Sequence, residues 1–268
     1  MAGLTYIKDG GVWKLASALW VKDAGTWRAV DKAWLKQGGE WKEIFTAAFV
    51  FNDTISSYME NYRVRTRALA AGWDGTIPLI ANITLAASAG QIGSNSTGAY
   101  AFDTGPSSDF PASAVLNLTI QSGAWIRGRN GPGGSGAGGP AFRVQVPINV
   151  ANYGDISGAG GGGANGWGGT YPIYSCDHSS NCFCTGSCST YGGSGGRGAG
   201  CLGGAHGGSS GSWGTCGGGN CGAGYGNGYS GGDLGQYGGG GGGAPGYAVV
   251  GNSLINWINT GTINGPVS

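Results

Sequence analysis

The first 45 residues alternate apolar and polar positions in a pattern that recurs every 14 residues. YIKDGGVWKL, WVKDAGTWRA and WLKQGGEWKE begin at Tyr6, Trp20 and Trp34. Each copy runs as an aromatic-bearing arm, a glycine-containing corner and a second arm holding Trp13, Trp27 or Trp41. Period-two arms about such a corner predict β-hairpins. A single hairpin cannot hide its own tryptophans. The three units are therefore either a small self-packed β module or a docking module. In the docking reading Trp13, Trp20, Trp27, Trp34 and Trp41 are the anchors.

Residues 54–72, TISSYMENYRVRTRALAAG, predict a helix. Thr54 or Ser57 would cap it, Glu60 would complete a capping box, and Gly72 stands where a helix stops. The alternating Arg63, Arg65 and Arg67 read as solvated surface. A looser repeat follows, in IANITLAASAGQIG, LNLTIQSGAWIRG, INVANYGDISG and LINWINTGTING. Each copy is a short alternating arm, a glycine corner, an isoleucine (Ile92, Ile126, Ile156 or Ile263) and another glycine. Alternation suits strands with one buried face. The last copy ends the chain, which predicts that the C-terminal strand returns to pack beside residues 115–156.

Composition changes the picture after residue 130. Of 62 glycines, 14 precede residue 131 and 48 follow, while only Arg143, Arg197, Asp155, Asp177 and Asp233 carry charge there. Disorder is the default for such a composition. Collagen fails, because GGSGAGGPAF keeps no Gly-X-Y period. A third reading is an array of extended glycine rods with three residues per turn. Such rods lack internal hydrogen bonds but satisfy their amides from one rod to the next, and only glycine permits the approach. Short runs interrupted by bulky aromatics favour this packed array: the rods are glycine and the turns carry the aromatics.

The remaining chemistry is sparse. A net charge of +1 with no basic stripe excludes a nucleic-acid surface. No stretch is long and apolar enough to span a bilayer, and MAGLTYIKDGGVWK lacks the apolar core of a signal peptide. Seven cysteines, Cys176, Cys182, Cys184, Cys188, Cys201, Cys216 and Cys221, point to an oxidising setting. Their spacing suits disulfides better than a zinc site at Cys176, His178, Cys182, Cys184 and Cys188. An odd number leaves at least one thiol free or intermolecular. Neither His178 nor His206 has a carboxylate at a catalytic spacing. Asp103 and Asp109, the nearest approach to a glycosidase pair, read as turn residues. The expectation is a protein that is no enzyme and uses no cofactor or metal.

LTIQSGAWIRGRNGPGGSGAGGPAF, INVANYGDISGAGGGG and GGGGGGAPGYAVVGNSLINWINTGTING together resemble the glycine-rich domain of tailed-phage receptor-binding proteins and distal tail-fibre adhesins. NYRVRTRALAAGWDG resembles a stretch that precedes that domain. The likeness covers roughly residues 55–268. It implies a sandwich of polyglycine-II helices with variable host-facing loops, and an N-terminal part that holds the adhesin to tail or fibre. The insertion SCDHSSNCFCTGSC departs from the family pattern.

The expected fold is mostly β and irregular. It has hairpin repeats, one short helix, and β-rich arms flanking a polyglycine-II sandwich. Three regions are expected: an attachment module at 1–45, a connecting domain at 46–130 and a receptor-binding domain at 131–268. The expected function is a tail-tip adhesin in the distal virion, made in the host cytoplasm. It would bind a bacterial surface protein or polysaccharide, attach to other tail or fibre proteins, and form a homotrimer. Candidate contacts are Trp167, Tyr171, Tyr174, Phe183, Tyr191, Trp213, Tyr225 and Tyr229, because rigid aromatics supply contact area at low entropic cost. The alternative is a secreted glycine-rich structural or ice-binding protein.

Overall fold

The computed structural model describes residues 6–9, 11–15, 19–87, 89–166, 169–176, 182–191, 194–205, 207–209, 212–216 and 227–268. Side chains are described outside residues 6–7, 9, 13–15, 169–176, 182–191 and 212–216. The repeats near the N-terminus form three separate two-stranded sheets. These are β1 (Tyr6–Asp9) with β2 (Val12–Leu15), β3 (Leu19–Asp23) with β4 (Thr26–Val30), and β5 (Lys32–Gln37) with β6 (Glu40–Thr46). The pairs Asp23–Thr26 and Gln37–Glu40 enclose two-residue turns. Both turn residues have positive φ, Ala24 and Gly25 in one and Gly38 and Gly39 in the other. That backbone matches the twist of the flanking strands.

From residue 49 the chain winds into a three-faced parallel β-solenoid. Its first coil is β7 (Phe49–Ile55), β8 (Tyr58–Glu60) and β9 (Tyr62–Arg63). A short helix, α1 (Val64–Ala70), precedes the second coil: β10 (Leu79–Leu85), β11 (Gln91–Gly93) and β12 (Phe102–Asp103). The third is β13 (Val115–Ile120), β14 (Trp125–Arg127) and β15 (Phe142–Arg143). The fourth starts with β16 (Ile148–Asn152) and β17 (Asp155–Ser157). The late strands are β21 (Val249–Val250), β22 (Ile255–Asn259) and β23 (Thr262–Asn264). The order β22-β16-β13-β10-β7 makes the first face, β23-β17-β14-β11-β8 the second and β21-β15-β12-β9 the third. Strands on both sides of residue 130 thus share the same sheets.

Parallel, in-register stacking brings like residues together. Met59, Ile92, Ile126, Ile156 and Ile263 form one ladder, and Ile92, Ile126 and Ile156 are fully buried. Each such burial stabilises by about 1.5–3 kcal/mol. On the third face Tyr62 stacks on Phe102 at 4.9 Å, and Phe102 meets Phe142 edge-on at 5.1 Å. Outside the first face, Asn52, Asn82, Asn117, Asn149 and Asn256 pass amide hydrogen bonds of 2.9–3.0 Å from coil to coil.

The glycine-rich chain leaves this solenoid between its second and third faces. Residues 128–141 lie between β14 and β15, and residues 158–248 lie between β17 and β21. Consecutive amides of residues 158–164 donate in a cycle of three. Gly158, Gly161 and Ala164 reach Asn264, Gln236 and Gly239. Ala159 and Gly162 reach Gly139 and Gly136, and Gly160 and Gly163 reach Ala199 and Gly196. The amides of this rod therefore point in three directions, its carbonyls accept from further segments at 131–134, 229–232 and 243–246, and its amides are satisfied without a β-ladder. Added Cβ atoms at Gly158, Gly161 and Gly162 would overlap the carbonyl oxygens of Gly246, Gly243 and Pro132.

The helix is shorter than the sequence predicts. Residues 54–55 and 58–60 are strand, and Arg63 sits at the helix N-terminus without a side-chain cap. Parallel pairing of Phe49–Ile55 with Leu79–Leu85 overrides local capping chemistry. Gly72 does follow the helix end, at φ +100°. Two of the three arginines are ion-paired rather than merely solvated, and Arg65 donates to the Asp109 carbonyl. Arg67 holds Asp53 through two hydrogen bonds of 2.9 and 3.0 Å, and Arg63 holds Asp109 at 2.9 Å. Val64 and Ala68 are fully buried, so the helix joins the hydrophobic core beside the first coil.

Close rod packing predicts a contrast between two substitutions. Gly161→Ala should lower unfolding free energy by about 2–3 kcal/mol. Gly204→Ala, where a Cβ meets nothing within 4 Å, should be neutral. Denaturant unfolding of both variants checks this.

Candidate functional site

The direction of the hydrogen-bonded rods defines a near end and a far end. Residues 128 and 158 follow directly from the second-face strands, where the Gly128 amide reaches Ser157 and the Gly158 amide reaches Asn264. Residues 194–200 run antiparallel to 158–164, since Gly163 pairs with Gly196 and Gly160 with Ala199. Residues 236–239 run parallel to it, and 243–246 antiparallel. Residues 134–136 and 239–242, with Asn165, Ser194, Ser209 and Asn227 where the longer connections leave and re-enter the array, therefore lie at the far end, away from the solenoid. At the near end Gly200–Gly203 and Asp233–Gln236 close tight turns.

Two of the far-end connections contribute to one antiparallel sheet. It comprises β18 (Gly169–Cys176), β19 (Cys182–Tyr191) and β20 (Ser212–Cys216) in that order. Five candidate contacts lie on its backbone: Tyr171 and Tyr174 on the first strand, Phe183 and Tyr191 on the second, and Trp213 on the third. Their side chains lie outside the described residues, as do Trp167 and Tyr225 entirely.

Tyr229 is described in full. Its amide donates to Ala164 and its carbonyl accepts from Gly196, so its backbone is fixed within the array. Its side chain is 49 % exposed and packs beside the turn at Gly239 and Gly240. The glycine-rich region also exposes Tyr237 (70 %) and Tyr247. Neither tyrosine is among the contacts that the sequence singles out. Rod direction, invisible in the sequence, separates far-end from near-end aromatics.

The hairpins present a second surface. Trp20, Lys22 and Trp27 share one face by register, with Lys22 Nζ 6.0 Å from the Trp27 ring centroid. Trp34, Lys36 and Trp41 repeat this, with Lys36 at 5.9 Å. Trp20, Trp27, Trp34 and Trp41 are all more than half exposed. Tyr6, Lys8 and Trp13 hold the equivalent register positions in the first hairpin; the Trp13 side chain is outside the described residues.

Carboxylates on the solenoid are engaged by arginines. Asp103 pairs with Arg143 at 2.6 Å, Asp155 with Arg127 at 2.7 Å, and Asp109 with Arg63. Burial by itself would raise the Asp103 carboxyl. Hydrogen bonds from Arg143, the Gly105 amide and Gln145, with the Arg143 charge, outweigh it and hold the carboxyl below its ordinary range. Among the described residues no group of His, Cys, Asp or Glu is arranged to hold a metal. Cys201 is corrected as a disulfide candidate. It is a free, half-buried thiol at the near end, donating to the Ser94 carbonyl at 3.5 Å.

The Asp103 clamp predicts an acid dependence. A depressed carboxylate contributes stability that is present above its unfolded pKa, near ~4, and is lost as pH falls through the lower folded value. Asp103→Asn should cost about 1 kcal/mol at neutral pH, screening by solvent around Arg143 included. It should also flatten the acid limb of stability against pH, measured by urea unfolding.

A family model described as phage tail fibre adhesin Gp38 matches residues 50–268. No curated protein matches the chain. A solved structure, the gp37-gp38 adhesin tip complex of the bacteriophage S16 long tail fiber, is similar at 21% identity. It has a TM-score of 0.46, with 83% of each chain covered. With most of its length matched, the chain belongs to the phage tail fibre adhesin Gp38 family and is a receptor-binding protein of the distal virion tail.

Proposed function

We propose that this adhesin recognises a bacterial surface protein or polysaccharide through aromatic residues carried at the far end of a polyglycine-II sandwich. The observation that carries the proposal is the three-residue cycle of amide partners along residues 158–164. That cycle is what a three-per-turn helix packed among like helices requires. A rigid array lets far-end turns display rings without first ordering them, which lowers the entropic cost of contact. Tyr171, Tyr174, Phe183, Tyr191, Trp213 and Tyr229 are the proposed contacts, with Trp167 and Tyr225 in the same connections.

The hairpins are the proposed attachment module, joining other tail or fibre proteins through Trp13, Trp20, Trp27, Trp34 and Trp41. Half-exposed tryptophans in repeated register are what an interface centre uses. Residues 1–45 hold all six lysines of the chain and Arg28 against five carboxylates, which favours a partner surface with acidic groups beside apolar pockets. A homotrimer is the proposed assembly. The reading is of binding rather than catalysis, since Asp103 and Asp109 are each committed to an arginine. Family membership favours an adhesin over the ice-binding or structural alternative.

Purified full-length protein at saturation should block adsorption of the parent phage to its host. Undiminished adsorption would overturn the receptor-binding reading of the free chain. A Trp27→Ala, Trp41→Ala double variant should lose binding to fibre proteins by at least about tenfold while still blocking adsorption. Sizing with mass detection on the same samples should read three chains.

A further inference from the structure

The cysteines that the sequence could not pair are sorted by the far-end sheet. Register sets Cys176 directly across from Cys182, on β18 and β19. It sets Cys188 directly across from Cys216, on β19 and β20. Opposed residues of an antiparallel ladder have Cα atoms about 4.5–5.5 Å apart, within the ~4.4–6.8 Å that a disulfide spans. Cys184 stands across from Tyr174 instead. Cys201 lies at the other end of the rods as a free thiol. We infer that Cys176–Cys182 and Cys188–Cys216 are disulfides, and that the second ties the two separate far-end connections into one unit.

The chemistry is an ordinary thiol oxidation. In each pair two S–H bonds break and one S–S bond forms. The two thiols lose two protons and two electrons, and dioxygen accepts both and leaves as hydrogen peroxide. A reducing cytosol keeps such thiols open, so the bonds close once the protein meets an oxidising medium. The pairing has a structural purpose. Strand Ser212–Cys216 is separated from its neighbour strand by the whole excursion through residues 194–209. A covalent link across them removes freedom from the open state of that excursion. The consequence for receptor contact rests on the function proposed above; the bonds themselves do not.

The test uses the full-length protein, alkylated under denaturing, non-reducing conditions and then cleaved after aromatic residues. Cleavage after Tyr174, Phe183, Tyr191, Trp213 and Tyr225 separates the candidates into peptides 175–183, 184–191, 192–213 and 214–225. Peptide 175–183 should be unalkylated and lighter by two hydrogens. Peptide 184–191 should be joined to 214–225, with fragment ions placing the bond between Cys188 and Cys216. Cys188→Ser should leave Cys216 open to alkylation without disturbing Cys176–Cys182. Full alkylation of Cys176, Cys182, Cys188 and Cys216 would overturn the inference. So would a bond from Cys216 to any other cysteine, or zinc retained by the native protein with those four thiols alkylated on denaturation. Failure to block adsorption would leave this result untouched, so the two readings fail separately.

Discussion

The structure depends on saturation of main-chain amides and carbonyls between rods that have almost no side chains. A rod with three residues per turn makes no bond to itself, so every amide must meet a neighbour. Residues 158–164 do so in strict rotation among residues around 264 and 236–239, 136–139, and 196–199. That arrangement requires rod axes so close that a single methyl group on Gly158, Gly161 or Gly162 would overlap a backbone carbonyl. Glycine abundance, which usually signals slack chain, here removes the obstacle to packing.

The solenoid gives the array its starting geometry. Its second-face strands set Arg127, Ser157 and Asn264 side by side in register with their neighbours, and the rods emerge from those positions already aligned. Ladder after ladder of identical residues, isoleucine inside and asparagine outside, fixes that register. A slip by one residue would turn buried isoleucines outward. The first coil departs from the apolar pattern at Asp53, which faces Ile83 in register. There the carboxylate accepts hydrogen bonds from Tyr62 and Arg67, which satisfies the polar group where the helix meets the first coil.

Much of this was legible in the residues. The hairpin corners, the isoleucine repeat and the packed glycine rods follow from alternation, turn chemistry and backbone accounting. The helix start was misplaced because TISSYMENYR carries capping residues whose local preference loses to strand pairing thirty residues away. Arg63 and Arg67 looked idle because Asp109 and Asp53 are remote in sequence and become neighbours only through coiling. For the candidate site, composition named aromatic turns, while only the alternation of rod direction shows which turns share an end. Cysteine pairing was closed to spacing arguments for the same reason: Cys188 and Cys216 meet through topology.

Site-resolved hydrogen exchange on the intact protein tests the central claim most directly, because exchange reads whether an amide is engaged. The account predicts slow exchange for the amides of residues 158–164 and of Gly196, Gly198, Ala199, Gly243 and Gly246, comparable to the buried solenoid strand Val115–Ile120. Rapid exchange through those glycines, with the solenoid still protected, would contradict it.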